Sequence, residues 1–124
     1  MIKGIGNDIV EIARIRTSIQ RYSERFLNRL FTQLEQEYCS NRKDPALHFA
    51  GRFAAKEAIV KALGTGFSHG ISWTDIEIIN EASGKPIVSF SNSVNELFQF
   101  PHVLISISHC HQYATAFAIW DSSN

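Results

Sequence analysis

The stretch from Asp44 to Gly64 constrains this chain more than any other segment. Asp44 offers an N-cap, Pro45 fits the first helical position, and Gly64 is a natural C-terminal stop. The residues between them predict one long helix. Phe49, Phe53, Val60 and Leu63 form an apolar stripe along it. Ala50, Ala54, Ala55, Ala58 and Ala62 crowd the remaining faces, which allows tight packing on several sides.

The other segments supply partners for that helix. Residues 2–12 mix β-branched side chains with Gly4 and Gly6, which predicts a strand that another backbone or a ligand approaches closely. Residues 13–31 carry Ile15, Ile19, Tyr22, Phe26 and Leu30 at steps of three and four, a helical period with a break near Ser23. Thr32 followed by Glu35 is a capping box that opens a short helix through Tyr38 and Cys39. Trp73–Asn80 and Ile87–Phe90 read as a hairpin around a turn at residues 81–86. A short helix starts at Ser91 or Ser93 and stops before Pro101. The last β-rich runs flank His109-Cys110-His111-Gln112, and alternation of Ile105 and Ile107 with Ser106 and Ser108 gives them one buried and one polar face. The fold class is α+β, with the long helix packed on a largely antiparallel sheet. A length of 124 residues is expected to form a single domain, 1–124.

Twelve basic and twelve acidic residues cancel, so no global field draws nucleic acid or a membrane surface. No apolar run approaches the roughly 20 residues that span a bilayer. Asp8 and Glu11 interrupt the N-terminal apolar run, which argues against a secretory leader. Cys39 and Cys110 have no metal-ligand spacing and make no disulfide framework. The expected setting is cytoplasmic, with both thiols reduced.

Chemistry concentrates on the long helix. Glu57 and Lys61 stand one turn apart, as do Arg52 and Lys56. One carboxylate among several cations suits a magnesium-bound phosphate, since magnesium uses one or two protein carboxylates and the substrate's own oxygens. The plain alternative is a solvated helix face with a Glu–Lys pair. Asp8, after Gly4-Ile5-Gly6-Asn7, offers a second carboxylate that matters if the fold brings it to Glu57. His109 can present a donor to a phosphate. A zinc site at His109 and His111 would want more ligands than Cys110 adds. No nucleophile elbow for a Ser–His hydrolase is visible. Between Arg14 and Arg29, five arginines face one glutamate, a local charge of +4. Arg14, Arg21 and Arg25 can share a helical face and dock an acidic partner, unless acidic residues elsewhere balance them.

Taken in order, MIKGIGNDIVEIARI, RFLNRLFT, FAGRFAAKEAIVKALGTG, ISWTDIEI, GKP and ISISHCHQYATAFAI resemble the holo-[acyl-carrier-protein] synthase family, the small bacterial 4′-phosphopantetheinyl transferases. The resemblance covers nearly the whole chain. It implies a 4′-phosphopantetheinyl transferase-like fold and transfer of the phosphopantetheine arm of coenzyme A to a serine of apo acyl carrier protein, in support of fatty acid biosynthesis. Adenosine 3′,5′-bisphosphate would be the other product. It implies magnesium at Asp8 and Glu57, with Lys61 at the phosphates and either Lys61 or a water near the carboxylates managing the serine proton. It further implies coenzyme A contacts at Arg52, Lys56, Lys61 and His109, and carrier docking at Arg14, Arg21 and Arg25. The carrier is acidic, which gives the +4 segment a partner. Family members resemble homotrimers with sites shared between subunits. The final hairpin fits that picture, because Ala114, Ala116 and Ala118 alternate with Thr115, Phe117 and Ile119, as in a strand buried on both faces. On that reading Ala116 is expected to face the subunit interface. A non-catalytic carrier-docking module and a metal-dependent nucleotide pyrophosphatase are the competing readings; transfer to a carrier, and not to water, separates them.

Overall fold

In the computed structural model, residues 1–122 are described. Strand β1 (Ile2–Glu11) leads into α1 (Ile12–Tyr22), α2 (Glu24–Leu30), α3 (Gln33–Ser40) and the long α4 (Pro45–Leu63). A hairpin follows, β2 (Ile76–Asn80) and β3 (Pro86–Phe90), then α5 (Asn92–Phe98) and a second hairpin, β4 (His102–His109) and β5 (Tyr113–Asp121). Two antiparallel sheets result: β1-β5-β4, and the separate pair β2-β3.

Helix α4 is the axis of the molecule, with 13 of its 19 residues buried. It lies on the β1-β5-β4 sheet at backbone distance. A Cβ on Gly4 would overlap the carbonyl oxygen of Ala62, and one on Gly6 that of Ala58. In register with β1, Ala118 pairs Gly6, Ala116 pairs Asp8 and Ala114 pairs Val10. The inward face of β5 is thus alanine, packed on Ala54, Ala55, Ala58 and Ala62 of the helix. Isoleucines and valines from β2, β4 and α5 complete this core. A second core gathers Ile12, Ile15, Leu30, Phe31, Cys39 and Phe49 between α1–α3 and the first half of α4, with the Phe31 and Phe49 rings 4.8 Å apart.

Three local findings refine the sequence reading. The helical period of residues 13–31 breaks at Ser23, whose positive φ of 47° turns the chain between α1 and α2. Asp44 does not cap α4 with its side chain; it holds Arg16 in a two-pronged pair at 3.0 and 3.1 Å. Trp73 was expected to start a strand but lies in a 3-10 turn, Trp73–Asp75. The cause is a reciprocal cap, in which the Ser72 backbone N–H donates to Asp75 Oδ2 at 2.8 Å. The turn stacks the indole against Phe67 at 3.9 Å and Phe53 at 4.9 Å.

The interface expectation for Ala116 is corrected. Ala116 is fully buried within its own subunit, against α4. The residues that point outward are its neighbours on the other face. Phe117 is 58% exposed, beside Ile5 at 71% and Ile9 at 61%. Apolar side chains on the solvent side of three paired strands form an open face of the kind that marks an interaction surface.

Candidate active site

Asp8 and Glu57 come from segments almost fifty residues apart. The close approach of β1 to α4 brings them to one cleft, which Val10, Arg14, Phe26 and Phe53 also line. Lys61, one turn beyond Glu57, reaches across to β1. Its Nζ donates to the Asn7 carbonyl at 3.0 Å and to Asp8 Oδ1 at 3.2 Å. Burial raises the Glu57 carboxyl above the ordinary glutamate range, and the negative charge of Asp8 adds to the rise, while Lys61 opposes it. Two carboxylates that repel one another in a partly shielded cleft are groups that a cation can bring together.

Among the described residues no three His, Cys, Asp or Glu side chains cluster to hold a metal, so a closed structural zinc site is absent there. The donor set fits magnesium. Two hard carboxylate oxygens are what this ion takes from a protein when phosphates and water fill its other positions.

A second cavity, of about 200 Å³, opens on the far side of α4, between the β2–β3 turn and the end of β4. Arg52, His48, His109, Tyr38 and Asn80 line it. Arg52 is 4% exposed; its Nη2 donates to Asn80 Oδ1 at 2.6 Å, and its buried Nε has no partner in the protein. Asn80 in turn donates to the Gly84 carbonyl at 2.9 Å, tying the turn to the cavity. The guanidinium groups of Arg42 and Arg52 lie over the Tyr38 ring at 3.9 and 4.3 Å. The His48 and His109 rings meet edge to face, 6.1 Å apart. Burial pushes His48 below the ordinary histidine range, reinforced by the charges of His109, Arg52 and Arg42 and opposed by Asp44. Arg52, with one buried N–H unpaired, and the two histidines are donors of the kind that can receive an anion.

His48, Tyr38 and Asn80 were not singled out from sequence. His48 carried a signal, because it stands four residues before Arg52 and so shares its helix face. Tyr38 and Asn80 carried none, since long-range folding alone brings them there.

The expected phosphate contact at Lys56 is corrected. Its side chain is completely buried, and all three ammonium protons are spent inside the protein, on Glu35, Leu30 and Trp73. Of the docking candidates, Arg14 lines the Asp8–Glu57 cleft and Arg25 lines a groove that continues from it. The two share Ser18 and Phe26. Arg21 is exposed but off this lining, and Arg29 is in it instead. Arg16 is engaged by Asp44.

A family model described as the 4'-phosphopantetheinyl transferase superfamily matches residues 4–118. A holo-[acyl-carrier-protein] synthase of Protochlamydia amoebophila is 68% identical over 122 residues, covering 98% of this chain and 100% of that one. The crystal structure of holo-[acyl-carrier-protein] synthase from Neisseria meningitidis superposes with a TM-score of 0.90 at 33% identity, covering 98% and 100% of the two chains. That of Bacillus anthracis, solved in complex with coenzyme A (3',5'-ADP), gives 0.85 at 38% identity, with 99% of each chain covered. The motif resemblance, the carboxylates that β1 brings to α4 and the likeness over the full length of solved relatives agree, and the chain belongs to the 4′-phosphopantetheinyl transferase superfamily.

Proposed function

We propose that this chain, as one domain over residues 1–124, transfers the 4′-phosphopantetheine arm of coenzyme A to a serine of apo acyl carrier protein. It does so as a magnesium-dependent enzyme of the cytoplasm and as a homotrimer, supporting fatty acid biosynthesis. The observation that carries the reading is the meeting of Asp8, Glu57 and Lys61 at the end of an arginine-flanked groove.

The residues divide into three tasks. Asp8 and Glu57 hold magnesium, which when bound neutralises charge developing on the pyrophosphate oxygens. Arg52 and His109 receive phosphate oxygens of the nucleotide half, and His48 joins them. Lys61, which reaches Asp8 from the next turn of the helix, would steady the bridging region of the pyrophosphate with its ammonium. The serine oxygen attacks the phosphorus that carries pantetheine. The bond from that phosphorus to the nucleotide phosphate breaks, adenosine 3′,5′-bisphosphate leaves, and a water beside Asp8 and Glu57 takes the serine proton. Catalysis is mainly positioning and electrostatics.

The cation-lined cavity is below the roughly 300–1,000 Å³ of a complete small-molecule site. A second subunit would complete it, which supports self-association. Mass spectrometry of apo carrier incubated with coenzyme A and magnesium tests the whole reading. A gain of one phosphopantetheine per carrier is expected. Cleavage of coenzyme A without carrier modification would indicate a pyrophosphatase, and carrier binding without cleavage a docking module.

Carrier binding is expected to depend on charge. Arg14→Glu and Arg25→Glu should each raise the carrier KM about tenfold and leave the coenzyme A Kd unchanged, as removal of steering and complementary charge implies. Wild-type carrier affinity should fall as salt approaches about 0.5 M, where the screening length shrinks to a few ångströms. A selective rise in the coenzyme A Kd of Arg14→Glu would assign that arginine to the nucleotide.

Coenzyme A affinity is expected to depend on pH in a stated direction. In the free protein His48 titrates below its usual range, facing His109 on β4, Arg52 and Asp44 on its own helix side, and Arg42 and Tyr38 near α3. A bound phosphate favours the imidazolium, so the complex holds more protons than the free protein. Affinity then rises as pH falls, by up to about threefold to tenfold between about pH 8 and about pH 6. Isothermal titration calorimetry should show this gain shrink in His48→Gln. For the ligand-free protein the sign is opposite: the unfolded chain binds the extra proton, so stability falls as pH drops through the ordinary histidine range.

A further inference from the structure

Lys56 directly precedes Glu57, yet its ammonium turns into the protein and meets a carboxylate that is just as buried, Glu35. Nζ donates to Glu35 Oε1 at 2.7 Å, to the Leu30 carbonyl at 2.7 Å and to the Trp73 carbonyl at 3.0 Å. Those are all the donors a lysine has. Glu35 also accepts from the backbone N–H of Thr32 at 2.9 Å and, on its other oxygen, from that of Ile78 at 2.8 Å. One pair of side chains therefore joins the end of α2, the cap of α3, the turn at Trp73, strand β2 and helix α4.

Stability alone is a weak reason for such a pair. Desolvation of two charges rivals their attraction, and well-packed apolar replacements are often neutral. What the pair does provide is a defined arrangement. Helix α2 has only seven residues and enters from the Ser23 kink without a side-chain cap. Its last carbonyl, on Leu30, is gripped by Lys56. It carries Arg25, Phe26 and Arg29, and Phe26 lies in both the groove and the Asp8–Glu57 cleft.

We infer that Glu35 and Lys56 are positioning residues, which lock α2 to α4 and so set where a docked carrier's serine arrives relative to Glu57 and Lys61. The inference rests on the groove being the carrier dock. Loosening α2 should harm carrier binding more than coenzyme A binding, since α2 carries Arg25 and Arg29 while Arg52 and His109 stand on another side of α4.

The test uses Lys56→Met combined with Glu35→Gln, so that no unpaired charge stays buried, with folding checked by near-ultraviolet circular dichroism and a cooperative melt. The carrier KM is expected to rise about tenfold while the coenzyme A Kd, measured by calorimetry without carrier, stays within about twofold. Should the double variant fail to fold, Glu35→Asp, which keeps both charges but shortens the reach to Lys56, is expected to show the same split with smaller amplitude. A folded variant with unchanged carrier KM, or with both constants weakened in parallel, overturns the positioning role. Arg25→Glu run alongside separates the two claims. No effect there on the carrier KM removes the dock itself, whereas an effect there with none in the pair variant overturns only the positioning.

Discussion

Replacing Glu57 by Ala is expected to lower phosphopantetheine transfer by at least about 10²-fold, the scale on which preorganised electrostatic stabilisation is lost. The same variant should melt no lower than the wild type. Glu57 is held in a partly shielded cleft beside the like charge of Asp8, which raises its carboxyl above the ordinary range. Removing it relieves that repulsion. A group whose loss costs rate but not stability is one retained for function. Asp8→Ala should cost a similar factor, and it also releases Lys61 from its 3.2 Å pair. Steady-state assays over a magnesium series, with thermal melts of the metal-free proteins, measure both effects. Near-normal activity of Glu57→Ala would sink the assignment of the cleft.

The second large effect is expected at the open face of the β1-β5-β4 sheet. On the proposed trimer, Phe117→Asp should yield folded monomers with at least about 10²-fold less activity, because it would separate the halves of a site shared between subunits. Phe117 is exposed in the subunit, so an aspartate there keeps its solvation when the chain is alone and loses it only when subunits meet. Ala116→Asp provides the contrast. Its carboxylate would enter the core that β5 shares with the alanines of α4, and the expected result is misfolding. Light scattering with activity at matched concentration distinguishes these outcomes. A fully active wild-type monomer would refute the trimer and the shared site together.

Much of this molecule was legible in its residues, for identifiable reasons. Helix α4 announced itself through Pro45, Gly64 and its alanines, and α3 through the Thr32–Glu35 box, because capping is local chemistry. The α1–α2 break at Ser23 followed from a lapse in apolar period. The fate of Lys56 was not legible. A lysine beside Glu57 looks the same whether it faces phosphate or Glu35, and the deciding contacts lie 17, 21 and 26 residues away. Ala116 misled for the opposite reason. Alternating small and large residues show that β5 has two distinct faces, but not which face meets the helix. That choice was written in another strand, at Gly4 and Gly6, whose missing side chains leave room only for a backbone.

Those two glycines also govern how mutation can act on β1. Along the strand, alternate positions obey different laws. Ile5, Asn7 and Ile9 look outward and can be exchanged without disturbing the chain's own interior. Gly4 and Gly6 admit no substituent at all, since even a methyl group would collide with a carbonyl of α4. The spacing between strand and helix is thereby a hard stop made of main-chain atoms, not a cushion of side chains that repacking could adjust. Asp8 stands two residues past that stop, Glu57 directly precedes the stretch of helix that forms it, and Lys61 lies within that stretch. Drift elsewhere in the core can therefore proceed without altering the gap across which the acid pair works.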